Sequence, residues 1–318
     1  GMGGRGQYSG LRSAMGAELA RAAMGIGGAS SSSARASQPP LIVQRNESLA
    51  SQKAQIPLAE KVFVAMSTDG MSSPTAGSSP QVFKIDLGRV DVSAVKEILN
   101  DPMRWTDEMW TEEYQRQNNA WLGGRNDNMA RFKPGVRSVH LIFSDRKGTD
   151  VYVFPWWSEL FEGAIRPILE EVLGGWYGFA DPMAHVSRLQ LASMPQGAYI
   201  KKHSDRGGWV TACHRVHVPI QTNPSVSFEV KSNFRDTGPS DKWERISTEP
   251  GGVFEINNAV PHRVSNGGPE RVHLLLDYTE EPHPLKQLKV GQACIYQGEI
   301  DCGEDILPYR TPQHSASN

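Results

Sequence analysis

The stretch Tyr199–Val210, YIKKHSDRGGWV, sets a histidine and an aspartate two residues apart and follows them with Gly-Gly. Side chains at i and i+2 of a strand stand on the same face, so the His203 imidazole and the Asp205 carboxylate converge on one point. Two readings are open at this stage. The pair is either ordinary polar surface or two ligands of a metal ion whose third ligand comes from downstream. From Gly178 onward the chain reads as short strands broken by Gly, Pro and Asn: HVSRLQLASM, AYIKKHSD, CHRVHVPIQT, SVSFEVKS, GVFEINN, HRVSN and RVHLLLDY. That spacing points to an antiparallel sandwich or jelly roll.

The half before Gly178 mixes strands with helices. VFKIDLGRV alternates as a strand, and DVSAVKEILND has an Asp or Ser cap and the apolar spacing of a short helix. RWTDEMWTEEYQRQNNAWL reads as helical, and VRSVHLIFSD and DVYVFPWW read as strands. SELFEGAIRPILEEVLGG is the strongest helix, stopped by Gly174-Gly175 and kinked or restarted at Pro167. The expected class is α+β, mainly β, with N-terminal helices flanking the sheet. Residues 1–80 are set apart as a disordered or targeting segment plus linker: they are rich in Ala, Gly, Ser and Arg, with Glu18 the only acid before Glu47. Residues 81–318 form the folded domain. Gly1 ahead of Met2 reads as a cloning remnant.

A formal charge of -2 in 318 residues gives no field suited to nucleic acid or an anionic membrane, and neither is expected as a partner. No run approaches 18 apolar residues, so no transmembrane helix is expected. Three cysteines without CxxC spacing, Cys213, Cys294 and Cys302, argue against a disulfide framework and for a reducing compartment. The location is cytoplasmic, or organellar if residues 1–45 act as a transit peptide.

The downstream ligand is His262, in NNAVPHRVSNGGPERVHLLLDY, and Arg271 follows it by nine residues at the start of the next strand. Two imidazoles and a carboxylate on one face of an ion form the facial triad of non-haem Fe(II) oxygenases, with three positions left open. A guanidinium behind that site suits the far carboxylate of a 2-oxoacid, because its planar fork donates two charge-assisted hydrogen bonds. In CHRVHVPIQT, Arg215 and His217 alternate against Val216, Val218 and Ile220, and so share one face.

MPQGAYIKKHSD, CHRVHVPIQT, GGVFEINNAVPHRVSNGG and ERVHLLLDY resemble the aspartyl/asparaginyl β-hydroxylase family of 2-oxoglutarate/Fe(II) dioxygenases over about residues 185–280. The resemblance implies a double-stranded β-helix, a cupin-like jelly roll with the metal near its mouth. It implies Fe(II) held by His203, Asp205 and His262, and 2-oxoglutarate anchored by Arg271 and contacted by Arg215 and His217, with ascorbate as a supporting reductant. A serine that holds the co-substrate in relatives falls on Ala192, with Ser193 beside it. The animal protein hydroxylase has glycine where this chain has Asp205.

The activity implied is hydroxylation of an aspartyl or asparaginyl side chain or a related amino acid, consuming O2 and yielding succinate and CO2. A proline-type free amino acid hydroxylase and a non-catalytic metal-binding module are the alternatives. Arg104, Trp105, Trp209, Arg125 and Arg137 are the candidates for substrate contact, with helix packing as the competing role for the tryptophans. His214 is read as outward-facing, Cys213 as a buried thiol, and His273 as sharing the face of Arg271. His140, His185, His283 and His314 have no company in the sequence.

Overall fold

The structure, a computed structural model, describes residues 84–124, 133–144, 150–205, 213–231, 242–258, 260–296, 300–303 and 306–310. The tail and linker, Arg125, the Gly207-Gly208 pair, Trp209 and His314 lie outside them.

The chain runs β1 (Lys84–Arg89), α1 (Ser93–Asn100), a 3-10 turn (Asp107–Trp110), α2 (Glu112–Asn118), β2 (Trp121–Gly124), β3 (Arg137–Ser144) and β4 (Val151–Val153). A long helix then passes through a π segment (Trp157–Phe161), α3 (Glu162–Leu169) and a second π segment (Glu170–Trp176). The barrel strands follow: β5 (Val186–Met194), β6 (Tyr199–His203), β7 (His214–Gln221), β8 (Val226–Lys231), β9 (Trp243–Ile246), β10 (Gly252–Ile256), β11 (His262–Asn266) and β12 (Arg271–Tyr278). Short strands β13 (Leu285–Gln287), β14 (Ala293–Tyr296), β15 (Ile300–Asp301) and β16 (Leu307–Pro308) complete the order.

One sheet has the order β1-β10-β7-β12-β5-β3-β4-β13-β16 and a second has β6-β11-β8-β9. Strands β5 to β12 thus cross between the two sheets, giving β5-β12-β7-β10 on one side and β6-β11-β8-β9 on the other. That interleaving is a double-stranded β-helix, the jelly roll.

The period of two in the large sheet divides its faces. Val139 and Leu141 of β3, Leu189 and Leu191 of β5, Val216, Val218 and Ile220 of β7, and Leu274 and Leu276 of β12 pack outward. They share one buried cluster with Trp157, Phe161, Ile165, Ile168, Leu169, Val172 and Leu173 of the long helix. The opposite face looks into the barrel, where Met194, Phe228, Val230, Ile246, Phe254, Ile256 and Val264 fill the space between the sheets. Leu residues and β-branched residues on the helix side, alternating with polar residues on the barrel side, therefore aim the polar ones inward.

Several expectations need correction. Pro167 does not restart the helix but sits inside α3; the buried face of that helix offsets the roughly 3 kcal/mol such a proline costs. The tryptophan-rich stretch is helical only in part, and its end turns into β2, which pairs with β14. Strands β9 and β13 to β16 were not foreseen. His214 is buried, because its parity in β7 matches Val216 and turns it toward the helices. There its Nδ1 lies 2.8 Å from Glu255 Oε1 and its ring stacks on Tyr278 at 4.6 Å.

Cys294 and Cys302 form a disulfide, contrary to the reading of three sparse cysteines. The β14–β15 ladder pairs Ile295 with Asp301, and the next position brings the two cysteines opposite each other. Cys213 is the remaining, buried thiol. No helix among the described residues is long and apolar enough to cross a membrane.

Candidate metal centre

His203 ends β6 and His262 begins β11, and the antiparallel register sets them directly opposite each other, ring centroids 4.3 Å apart. Asp205 lies just past β6, held by its backbone N–H donating to the Asn258 carbonyl at 3.0 Å. Its carboxylate reaches between the two rings: Oδ1 is 3.6 Å from His203 Nε2 and Oδ2 is 3.8 Å from His262 Nε2. One ligand atom from each of the three falls within 4.8 Å of the other two.

The other ring nitrogens explain the orientation. His203 Nδ1 donates to the Lys201 carbonyl at 2.8 Å, and His262 Nδ1 donates to the Val260 carbonyl at 3.0 Å. Each Nδ1 proton is thereby fixed, and each Nε2 lone pair faces Asp205; a carbonyl on the far nitrogen is what orients metal-bound histidines. Burial lowers the pKa of both rings, that of His262 to about 4, so both are neutral and able to ligate. Burial works against the Asp205 charge, but Arg215, His262 and Lys133 outweigh it and hold the carboxyl well below its usual range. The donor set of two neutral imidazoles and one carboxylate fits Fe(II) and leaves positions open.

The triad opens on a cavity of about 500 Å³ that Arg215, His217, Phe228 and Arg271 also line. Arg215 is fully engaged: Nε and Nη2 donate to Asp277 at 2.7 and 2.9 Å, and Nη1 donates to Asp205. His217 is different. Its ring stacks on Phe254 at 5.1 Å, and neither ring nitrogen has a hydrogen-bond partner among the described residues.

Arg271 is 3% exposed. Nη1 donates to the Met194 sulfur at 3.0 Å, Nη2 donates to His273 Nδ1 at 2.6 Å, and Nε has no partner. No carboxylate faces this guanidinium among the described residues, and burial alone pulls its pKa down to about 9. His273 lies behind it, fully buried and held neutral by burial and by Arg271. A sequence of rings, His203, His262, Phe228, His217 and His273, joins the triad to Arg271 at centroid spacings of 4.3, 6.3, 5.1 and 6.0 Å.

The other candidates lie elsewhere. Ser193 faces away from the cavity that Ala192 lines; its hydroxyl donates to Glu270 and accepts from Arg137 at 3.4 Å. Arg137 is tied to Asp107 at 2.5 Å and Glu270 at 2.5 Å. Trp105 is buried against Trp110, Trp156 and Phe161 at 5.1–5.3 Å, and Arg104 does not line the cavity.

Among the lining residues that sequence reasoning missed are Lys133, His140 and Arg188. Strand parity held a signal for two of them. His140 sits two positions from Ser138 in β3, and Arg188 two from Gln190 in β5, all on the barrel face. Lys133 precedes β3 and carries no periodic signal.

No protein-family model matches the chain, and no curated protein matches it. Similar solved structures include an oxidoreductase of the 2OG-Fe(II) oxygenase family from Burkholderia pseudomallei, 17% identical over 46% of this chain and 67% of that one, at a TM-score of 0.35. A prolyl-4-hydroxylase from Pseudomonas putida is 12% identical over 62% of this chain and 92% of that one, TM-score 0.36. A cupin domain from Bordetella pertussis is 16% identical over 30% and 82%, TM-score 0.21. At such scores the fold rests on the strand order described above.

Proposed function

We propose that residues 81–318 form a mononuclear Fe(II)- and 2-oxoglutarate-dependent dioxygenase that hydroxylates an aspartyl or asparaginyl side chain or a related amino-acid substrate. His203, Asp205 and His262 would hold the metal. Bound there, Fe(II) supplies the open positions and redox chemistry by which O2 and 2-oxoglutarate become succinate and CO2 while one oxygen atom enters a substrate C–H bond. The chain's own residues do the rest. The fixed Nδ1 protons of the two histidines keep both Nε2 lone pairs turned to the ion. Arg271 neutralises the distal carboxylate of 2-oxoglutarate through its fork, and His217 donates to the co-substrate from the same cavity.

The observation that carries this reading is Arg271. A buried guanidinium without a counter-charge is expensive, and it lines the same cavity as a His/Asp/His cluster. A metal-binding module without oxygenase chemistry has no use for it. The test is an anaerobic titration of the Fe(II)-loaded protein with 2-oxoglutarate, followed by admission of air. The expected result is a visible metal-to-ligand charge-transfer band on titration and succinate on aeration. Absence of both refutes the proposal.

A further inference from the structure

Strand β3 changes face part-way along. His140 and Phe143 are three residues apart, so a regular strand would turn them to opposite sides of the sheet. The pairing with β5 slips between them: His140 faces Gln190, while Ile142 and Phe143 face Leu189 and Arg188. The extra residue of this bulge turns Phe143 back to the barrel side, and both rings line the cavity. They meet edge to face, centroids 4.9 Å apart. Burial, reinforced by Arg188, brings His140 down to about 3, so it contributes a neutral ring.

The small sheet completes this corner. Strand β14 runs beside β2, with Cys294, Ile295 and Tyr296 opposite Leu122, Gly123 and Gly124. Leu122 and Tyr296 line the cavity, and Gly123 borders it with bare backbone, since a Cβ there would run into the Trp121 ring. Tyr296 meets Phe143 edge to face at 6.4 Å. Phe143 belongs to a buried cluster apart from the main core, with Phe154, Cys294 and Ile300, and Leu122 and Tyr296 pack at its edge, half-buried. Through them this cluster presents apolar surface to the cavity. The Cys294–Cys302 bond cross-links the β14–β15 hairpin that carries Tyr296.

The corner lies within a small molecule's reach of the triad. Phe143, Arg188 and Asp277 stand in one row across β3, β5 and β12, so about 10 Å of sheet separates Phe143 from Asp277. Asp277 holds Arg215, which donates to Asp205. Arg271 lies at the other end of β12, about 20 Å from Asp277 along the strand. The anion end and the aromatic corner are therefore different parts of one cavity wall.

We propose that Phe143, Tyr296 and Leu122, with the His140 ring, form a specificity subsite that takes an aromatic side chain of the molecule to be hydroxylated. The inference rests on the oxygenase reading in calling that molecule a substrate, and it narrows the amino-acid class to one bearing an aromatic group; the subsite stands on the cavity wall itself. Rings set at right angles offer a third ring both a face and an edge. Arg188, 5.8 Å from the centroid of Phe143, adds a cation to the corner, which favours a π face over an alkyl chain.

The test is calorimetric and uses the full-length protein loaded with Mn(II) and saturated with the co-substrate analogue N-oxalylglycine. L-Phenylalanine, L-leucine, L-aspartate and L-alanine are titrated as free amino acids and, separately, as N-acetyl carboxamides, which stand for a residue within a peptide. In at least one set the phenylalanine form is expected to bind tightest, by about tenfold or more over the alanine form, the scale of burying one ring. The set that shows this tells whether the substrate is free or part of a chain. The phenylalanine-to-alanine ratio should fall to within about threefold of unity in Tyr296→Ala and persist in Tyr296→Phe, which ties the effect to the ring. Leu122→Ala, on the neighbouring strand, should also lower the ratio and serves where Tyr296→Ala does not fold.

The proposal is overturned if in both sets the leucine, aspartate or alanine form binds as tightly as the phenylalanine form, or if the ratio survives these alanine variants. Should N-oxalylglycine itself fail to bind the parent, the oxygenase reading falls. The same ratios, measured without it, then still decide the aromatic subsite.

Discussion

Replacing Arg271 with methionine should move stability and ligand affinity in opposite directions. The guanidinium is depressed from its ordinary value to about 9 by burial alone. Its folded pKa lies below its unfolded one, so the charged form is disfavoured by folding at every pH below about 9, and the penalty is relieved only as pH rises from there toward the unfolded value. The shift corresponds to an upper bound on the order of 5 kcal/mol.

Methionine keeps the stem volume but leaves His273 Nδ1 without its donor, a loss of about 1 kcal/mol. Allowing for relaxation around the charge, a net gain of about 2 kcal/mol for the ligand-free protein is expected, within the range seen when buried charges become apolar. At about 2–4 °C per kcal/mol this raises the melting temperature by about 4–8 °C. The same change removes two charge-assisted hydrogen bonds to 2-oxoglutarate, about 3–6 kcal/mol, or roughly 10²–10⁴ in affinity.

Scanning calorimetry with Mn(II), with and without 2-oxoglutarate, reads both effects. At 100 times its dissociation constant the ligand adds about 2.7 kcal/mol to the parent and almost nothing to the variant, so the order of melting temperatures inverts. A variant that melts below the parent without ligand, yet binds 2-oxoglutarate within threefold of it, refutes the reasoning.

Arg215→Met should cut Mn(II) affinity about 10–100-fold, because Asp205 loses the cation that orients it; unchanged affinity by calorimetry counts against that role. Glu255→Ala strands His214, Tyr177 and Tyr278 in the core and should cost about 3–5 kcal/mol in urea unfolding; a loss under 1 kcal/mol contradicts the network. Gly251→Ala places a Cβ 2.4 Å from the Val90 carbonyl at φ +75° and should cost about 1–3 kcal/mol on the same assay, while a neutral result means that β1 can shift away. In denaturant without reductant one thiol should titrate, and three after reduction. In the native protein Cys213, pushed up to about 12 chiefly by burial and by Asp277, should resist iodoacetamide at pH 8.

Much of the barrel was legible because its strands alternate. Parity read from CHRVHVPIQT put Arg215 and His217 on one face and the β-branched residues on the other, and the two faces divide in that way. The same rule, applied to His214, buries it, because it shares the parity of Val216 and so faces the helices. The fate of Ser193 was legible too, since Ala192 and Ser193 cannot share a face. What sequence could not supply was pairing at a distance. The Cys294–Cys302 bond depends on a hairpin register, and the short strands β13 to β16 have too few residues for a period to show. Lys133 joins Arg188 and Arg215 in lining one cavity only through the fold, since both lie more than fifty residues away.

The contrast between Arg215 and Arg271 bears on why the site is built this way. Both are buried on the inner face of the large sheet, on neighbouring strands. For one the fold provides Asp277, itself fully buried, in a bidentate pair that holds the guanidinium charged and still. For the other it provides a thioether and an imidazole ring, neither of which carries a compensating charge. If burial of cations were simply tolerated here, the two sites should look alike, and a carboxylate at Met194 or His273 would have relieved Arg271 as Asp277 relieves Arg215. Among the described residues the counter-charge is supplied to Arg215 and withheld from Arg271, so on the proposed function it is an incoming anion that would complete the electrostatics at Arg271. Under the proposed function the stability forgone at Arg271 would be recovered when that anion binds, tying the ligand-free protein's marginal point to the place where recognition occurs.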